Sequence, residues 1–133
     1  MDDALRLAVW KRAGDRCEYC RLPQEFDILP FQLDHVIASK HHGPTSAENL
    51  ALSCYNDNAH KGPNIAGIDP LTGELTRLFH PRRDDWNDHF AWDGPELAGR
   101  TAVGRTTIDV LNMNLADRVE HRQMLIRAGV VFC

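Results

Sequence analysis

The sequence lacks any run of apolar residues approaching the roughly 20 that a membrane-spanning helix needs. Its first residues, MDDALRLAVWKRAGDR, are acidic and then amphipathic, without the basic start and apolar centre of a signal peptide. It also lacks internal repeats, low-complexity tracts and an evident linker. We therefore expect a soluble, cytoplasmic protein that makes no membrane contact.

An excess of positive charge is also missing. Lys and Arg number 15 against 19 Asp and Glu, which gives a formal net charge of −4. Bulk charge therefore offers no argument for nucleic-acid binding, although a cleft can be locally basic. Any affinity for phosphate must come from individually placed side chains or from a metal ion.

Cysteine is scarce, but its spacing is informative. The chain has four cysteines, and Cys17 and Cys20 form a C-x-x-C pair. In a reducing compartment this spacing favours a metal-binding knuckle or a redox pair over a disulfide framework. Nothing before Cys17 resembles the βαβ context of a redox motif, which makes the redox reading weak. Buried apolar thiols are the plain structural alternative.

The length of 133 residues and the hydrophobic content of 43% suit one domain with its own core. Asp2 or Asp3 is a predicted helix N-cap, and Gly14 is the predicted stop of that helix. Alternation of apolar and polar residues predicts a strand over 31–37. A second short strand is expected over 50–54, followed by a short helix capped by Asn56 or Asp57.

The second half of the chain shows weaker patterns. Residues 74–79 and 89–92 are predicted as strands on either side of a polar connection. From Gly99 the apolar spacing becomes helical, with an interruption at 112–114 and an end at Gly129.

One short stretch combines the groups that a phosphodiester hydrolase needs. Histidine is a natural base near neutral pH, and carboxylate or amide oxygens suit a hard divalent ion. Asp34 and His35 are neighbours in the second half of the first predicted strand. Close to a strand end, where the backbone twists, one side chain can reach a metal and the other a water. Asn58 would supply a second oxygen ligand. Asn49 could hydrogen-bond His35 or brace the loop.

These residues resemble an HNH endonuclease, a family built on the ββα-metal motif. The resemblance rests on RCEYC, LDHVI, GPTSAENLALSC and NAHKG, in this order, and it extends over nearly the whole chain. It implies an α+β fold in a single nuclease domain over 1–133, with the core motif at about 15–65 and a C-terminal hairpin and helical extension over 66–133. It also implies cleavage of DNA with Mg²⁺ or Mn²⁺, leaving 5′-phosphate ends.

The resemblance assigns roles to individual positions. His35 would be the general base, Asn49 would occupy the N position, and Asn58 would hold the catalytic ion together with Asp34. His60 would be a phosphate contact or an auxiliary ligand. Candidate substrate contacts are His60 and Lys61 in the motif and, from the basic composition of their segment rather than from the resemblance, Arg82 and Arg83, with His80 beside them as a further possible phosphate contact.

The resemblance also implies a structural zinc ion, with one departure from the family pattern. Relatives often carry two C-x-x-C pairs. Cys17, Cys20 and Cys54 match three of those positions, whereas Asp57 stands where the fourth cysteine is expected. A carboxylate can ligate zinc, so either a Cys₃Asp site or loss of the metal is compatible with the sequence. Cys133 lies too far along the chain to be a ligand of this motif, unless folding brings it near.

Structural alternatives accompany each of these assignments. Asp34 and His35 could be a hydrogen-bonded pair at a strand end, and Asn49 could be only a turn cap. His41 and His42 could simply be solvated. Arg82 and Arg83 could lie at a charged hairpin tip rather than meet phosphates. At the level of the whole chain, the alternative is a catalytically inactive HNH-fold module that binds nucleic acid or a partner.

Overall fold

Helices and short antiparallel strand pairs alternate along the chain. The computed structural model describes residues 1–132, so Cys133 lies outside the described residues. Within them are five α-helices and three two-stranded antiparallel sheets, which confirms the predicted α+β class. Two compact units result, one formed by 1–65 with 80–83 and the other by 66–79 with 84 onward. No helix among the described residues is long and apolar enough to cross a membrane.

The first unit begins with helix α1, Asp3–Ala13. The side chain of Asp2 accepts a hydrogen bond of 2.7 Å from the amide of Leu5, and Gly14 ends the helix in the left-handed conformation with φ of 63°. Both predicted ends are therefore confirmed.

Strands β1, Gln32–His35, and β2, Leu50–Ser53, form an antiparallel pair in the first unit. Asp34 lies opposite Ala51, and His35 lies opposite Leu50. β1 is shorter than the predicted strand over 31–37, because the backbone amide of Ile37 bonds the side chain of Asn49 instead of β2.

Helix α2, Tyr55–Lys61, follows β2 directly and completes a ββα unit. The predicted cap at Asn56 or Asp57 is wrong. Cys54 is the N-cap, and its sulfur accepts a hydrogen bond of 3.4 Å from the amide of Asp57. The helix therefore begins earlier than its polar residues suggest.

The second unit contains the other elements: β3, Ala66–Ile68; β4, Leu75–Arg77; α3, Trp86–His89; β5, Phe90–Asp93; β6, Glu96–Gly99; α4, Ala102–Val110; and α5, Ala116–Arg127. β3 pairs with β4, and β5 pairs with β6. The strands predicted over 74–79 and 89–92 are present as β4 and β5, with shifted bounds, and they do not pair with each other. A turn over 69–73 joins β3 to β4, and in it the amide of Gly73 bonds the carbonyl of Asp69 at 2.8 Å. A second turn, at Gly94, joins β5 to β6.

The predicted C-terminal helices are present with one change of boundary. α4 begins at Ala102 rather than near Gly99 because residues 96–99 form β6, and the hydroxyl of Thr101 caps the helix. The predicted interruption at 112–114 separates α4 from α5.

Candidate active site and metal cluster

Asp34 lies at the centre of a buried polar group on β1. Its carboxylate accepts a 2.7 Å hydrogen bond from the hydroxyl of Tyr19 and forms a 3.1 Å ion pair with the ammonium of Lys61. Lys61 also donates to the backbone carbonyl of His35 at 3.2 Å. Lys61 is only 1% exposed and Asp34 only 5%, so the last residue of α2 is fastened to the end of β1.

This environment shifts the pKa values of Asp34 and Tyr19. Burial raises the pKa of the Asp34 carboxyl, and the neighbouring Lys61 and Tyr19 act in the opposite direction. Burial, reinforced by the Asp34 charge, raises the pKa of Tyr19 well above its usual range. Tyr19 therefore stays a neutral hydrogen-bond donor to the carboxylate.

His35 lies beside Asp34 at the end of β1 and is half-buried. Its Nε2 atom is 2.8 Å from the hydroxyl oxygen of Thr45. His35, Asp34 and Asn58 all line one open cleft of about 350 Å³. The fold thus brings three of the predicted site residues to one place.

Asn58 projects from α2 into this cleft and donates a hydrogen bond from its amide nitrogen to the side-chain oxygen of Gln32. That contact uses the donor end of the amide. Its carbonyl oxygen is the end that would ligate a hard cation. Asp34 and Asn58 are therefore side chains of a type that suits a divalent ion, although both carboxylate oxygens of Asp34 already bond Tyr19 or Lys61.

Asn49 braces the loop that follows His35. Its side-chain oxygen accepts from the amide of Ile37 at 2.9 Å. Its side-chain nitrogen donates to the carbonyls of Ile37 at 3.0 Å and Pro44 at 2.9 Å. Asn49 is only 4% exposed, and its side-chain bonds fix both ends of the loop by joining the backbone at Ile37 and Pro44, not the His35 ring. The sequence predicted that Asn49 either bonds His35 or braces the loop, and the structure shows the hydrogen bonds of a loop brace.

The backbone of Gly43 packs closely against this loop brace, which leaves no room for a side chain at position 43. A methyl group added there would lie 1.7 Å from the carbonyl oxygen of Ile37 and 2.8 Å from the side-chain nitrogen of Asn49. Both neighbours are fixed, one by the backbone and the other by its hydrogen bonds. Only glycine fits without displacing the brace.

Gly43→Ala is accordingly expected to lower the free energy of unfolding by about 3 kcal/mol, the upper part of the usual range for overpacking. Urea denaturation would measure the change. Gly94→Ala is a suitable control, because a methyl group added at Gly94 would have no atom within 4 Å. Its only cost is the strain of a side chain at a φ of +59°. An equal or smaller loss for Gly43→Ala would contradict the proposed role of close packing.

A second buried cluster joins the turn after α1 to the start of α2. The potential ligand atoms of Cys17, Cys20, Cys54 and Asp57 lie within 4.8 Å of one another, and all four residues are buried. The sulfur atoms of Cys20 and Cys54 are 3.8 Å apart, and the sulfur of Cys17 is 3.1 Å from a carboxylate oxygen of Asp57. This group could hold a metal ion.

Burial and mutual hydrogen bonds keep the thiols of Cys17 and Cys54 protonated in the absence of a cation. Burial raises the pKa of the Cys17 thiol well above its usual range. Hydrogen bonds with Cys17 and Cys20, followed by burial, raise the pKa of Cys54. Protonated thiols crowded around a buried carboxylate need a cation to become thiolates, and a metal ion is the usual cation for this purpose.

The predicted substrate contacts have varied surroundings. Lys61 is buried against Asp34, and the ring of His60 contacts the carbonyl of Asn56 at 2.8 Å. Arg82 forms an ion pair with Glu18, whereas Arg83 is exposed. Their role in substrate binding stays a prediction, and Arg83 is the most accessible of the four.

Sequence reasoning missed several partners that shape the site. Tyr19, Thr45 and Gln32 contact Asp34, His35 and Asn58 respectively. Each lies 10 to 26 residues from its partner, beyond the reach of helix or strand periodicity. For Tyr19 the only signal was its place inside the C-x-x-C pair, which fixes it next to the cluster.

Comparison with known proteins supports the resemblance stated above. Residues 17–64 match the family model described as HNH endonuclease. The chain is 25% identical over 124 residues to Septu protein PtuB of Bacillus thuringiensis, an alignment that covers 92% of this chain and 46% of that protein. The chain thus spans about half the length of that curated relative. No solved structure matches. The matched segment indicates a nuclease-type function related to nucleic acid.

Proposed function

We propose that this chain, in which residues 17–64 match the HNH endonuclease family, is a metal-dependent endonuclease that hydrolyses DNA phosphodiester bonds. The observation that carries the proposal is the convergence of Asp34, His35 and Asn58 on one open cleft. A base and two oxygen ligands beside an accessible surface are the minimum set for metal-assisted hydrolysis of a phosphodiester.

The residues of the cleft have distinct tasks in this proposal. The imidazole of His35 accepts a proton from the attacking water, and Asp34 and Asn58 would hold the catalytic ion. A bound Mg²⁺ or Mn²⁺ would stabilise the negative charge that develops on the phosphate and the leaving oxygen. Asn49 fixes the loop beside His35, and the ammonium of Lys61 keeps the Asp34 carboxylate paired inside the protein.

The charge distribution is compatible with a DNA substrate. The first unit carries nine Lys/Arg and nine Asp/Glu, whereas the second carries six and ten. The whole net charge of −4 therefore belongs to the second unit. The first unit, which contains the cleft, has no formal net charge and therefore does not repel a polyanion such as DNA. The single nuclease domain over residues 1–133 stays a prediction.

We further propose that the Cys17, Cys20, Cys54 and Asp57 cluster binds a structural zinc ion. Tetrahedral zinc with Zn–S bonds of about 2.3 Å places two sulfurs about 3.8 Å apart. The observed Cys20–Cys54 separation is 3.8 Å. The 3.1 Å from Cys17 to Asp57 is somewhat shorter than the roughly 3.5 Å of a sulfur–oxygen edge in the same tetrahedron. A small shift of the Asp57 side chain would accommodate the ion.

One observation favours the alternative of a binding module without catalysis. Both oxygens of Asp34 already have protein partners, since Lys61 lies 3.3 Å from Oδ1 and 3.1 Å from Oδ2, and Tyr19 donates to Oδ2. The carboxylate is therefore satisfied without a metal ion. A plasmid-nicking assay with Mg²⁺ or Mn²⁺, compared with EDTA, decides between the two. Metal-dependent nicking supports the nuclease, and DNA binding without nicking supports the module.

Asn58→Ala tests the proposed catalytic ion. We expect a lower cleavage rate together with a higher Mg²⁺ concentration for half-maximal rate, because one oxygen ligand is lost. Asn58 suits this test because it is half-exposed, whereas Asp34→Ala would leave the Lys61 ammonium buried without its partner.

Asn64→Ala is the control for this variant, since Asn64 is exposed and follows the same helix. Rates measured across a Mg²⁺ titration give both quantities. If Asn58→Ala keeps the wild-type rate and the wild-type Mg²⁺ dependence, Asn58 is not a ligand. The role of Asp34 can be examined in the double variant Asp34→Asn/Lys61→Met, which removes both charges together.

A further inference from the structure

The contact between His35 and Thr45 suggests how the proposed base is oriented. A neutral imidazole carries one donor nitrogen and one acceptor nitrogen, and the hydrogen bond made by one of them determines the role of the other. In this protein Nε2 is the nitrogen that meets Thr45, at 2.8 Å from its hydroxyl oxygen. A base that takes a proton from water must therefore use Nδ1.

Thr45 is itself held in place from the preceding residue. The side chain of Asn49 donates to the carbonyl of Pro44 at 2.9 Å, which fixes the peptide group that leads into Thr45. The same side chain fixes Ile37 through two hydrogen bonds. Asn49 therefore helps to fix the position of Thr45, although its hydrogen bonds go to the loop backbone and not to the His35 ring.

The burial of these residues points to a positioning role for Thr45. Thr45 is exposed, so its side chain is not needed to fill the core. Its hydroxyl can accept a hydrogen bond as well as donate one. It can therefore accept the Nε2–H of His35 and favour the tautomer in which Nδ1 is unprotonated.

We propose that Thr45 is a positioning residue for the reaction, that it accepts a hydrogen bond from Nε2–H of His35, and that Asn49 affects catalysis through it. This inference rests on the proposed function, because it assigns a task to the proposed base. Loss of the Thr45 hydroxyl leaves the base present but free to rotate and to adopt the other tautomer.

The closing experiment compares Thr45→Val, which removes the hydroxyl at nearly constant shape, with Thr45→Ser, which keeps it. Long-range ¹H–¹⁵N correlation spectra of the 133-residue chain in its metal-free form, at a pH where His35 is neutral, report the tautomer directly. We expect a pyrrole-type Nε2 and a pyridine-type Nδ1 in the wild type and in Thr45→Ser. In Thr45→Val the two signals should move toward each other as the tautomers mix. His35→Gln assigns the signals.

The second measurement compares kcat and KM for DNA cleavage among the same variants. Thr45→Val is expected to lower kcat about tenfold with little change in KM, the scale of one lost hydrogen bond, and Thr45→Ser should restore most of the rate. Asn49→Ala combined with Thr45→Val should cost less than the sum of the single effects, because both act on the same ring.

The outcomes separate the two proposals. An unchanged tautomer and unchanged kcat in Thr45→Val, with an active wild type, would overturn the positioning role. A pyridine-type Nε2 in the wild type would overturn it as well, because Thr45 would then be the donor. A wild type that cleaves no nucleic acid overturns the proposed function, while the spectra still decide the hydrogen bond between His35 and Thr45.

Discussion

His35→Ala is expected to lower the rate of DNA cleavage by about 10²-fold or more, the usual scale for loss of a general base. The fold should remain intact, because His35 is half-buried and its side chain bonds the exposed residue Thr45 rather than a group in the core. The rate of plasmid nicking and the circular dichroism spectrum would be measured on the same preparation.

His41→Ala is the matched control, since His41 is an exposed histidine in the loop that follows β1. It should cleave at nearly the wild-type rate. DNA binding by His35→Ala should also stay close to that of the wild type, because the base acts on water rather than on the DNA backbone. Near-normal turnover by a folded His35→Ala protein would show that His35 is not the general base.

The first unit was predictable from sequence because its signals are local. Alternating apolar residues predicted β1, and the C-x-x-C spacing predicted a cluster that the fold completes with Cys54 and Asp57. A polar segment after a short strand predicted α2. Its cap was missed because a thiol is an unusual N-cap, and Cys54 serves as one only where the chain folds back at Asp57.

The second unit was less predictable because short strands carry no information about their partners. The three residues of β4 could pair with any nearby extended segment. The turn over 69–73 brings β4 next to β3 and so determines its partner. This turn is further fixed by the ion pair between Asp69 and Arg105, which are 36 residues apart. Lys61 was likewise not predicted as the partner of Asp34, because the two residues are 27 positions apart. A lysine near the end of a polar helix is normally expected in solvent.

The second large effect is expected at the Cys17, Cys20, Cys54 and Asp57 cluster. Removal of zinc by a strong chelator, or Cys20→Ser, should lower the melting temperature by more than about 10 °C, because the free energy of metal binding is partly free energy of folding. The cluster joins segments that are 34 residues apart, between Cys20 and Cys54. Cleavage should be lost together with stability, because α2 carries Asn58 and Lys61 into the site.

The control for chelation must separate the structural ion from the catalytic one. Dialysis against EDTA followed by Mg²⁺ alone should restore neither the melting temperature nor cleavage, whereas Zn²⁺ followed by Mg²⁺ should restore both. His35→Ala should keep the full zinc-dependent stability, because its ring lies in the cleft and not in the cluster. Recovery of stability with Mg²⁺ alone would contradict a zinc site of thiolates, since Mg²⁺ prefers oxygen ligands.

Asp57→Cys is the sharpest test of the departure from a four-cysteine site. A thiolate is a softer and better partner for zinc than a carboxylate, so this variant should bind zinc more tightly and unfold at a higher temperature than the wild type. Its cleavage per active molecule should be unchanged, because residue 57 is buried within the cluster. Elemental analysis of protein purified without chelator provides the direct measurement, with about one zinc per chain expected from a closed tetrahedral site. Less than about 0.2 zinc per chain in a folded, active sample would mean that the three thiols and the Asp57 carboxyl pack without metal, since a structural site of this kind binds far too tightly to lose its ion during purification.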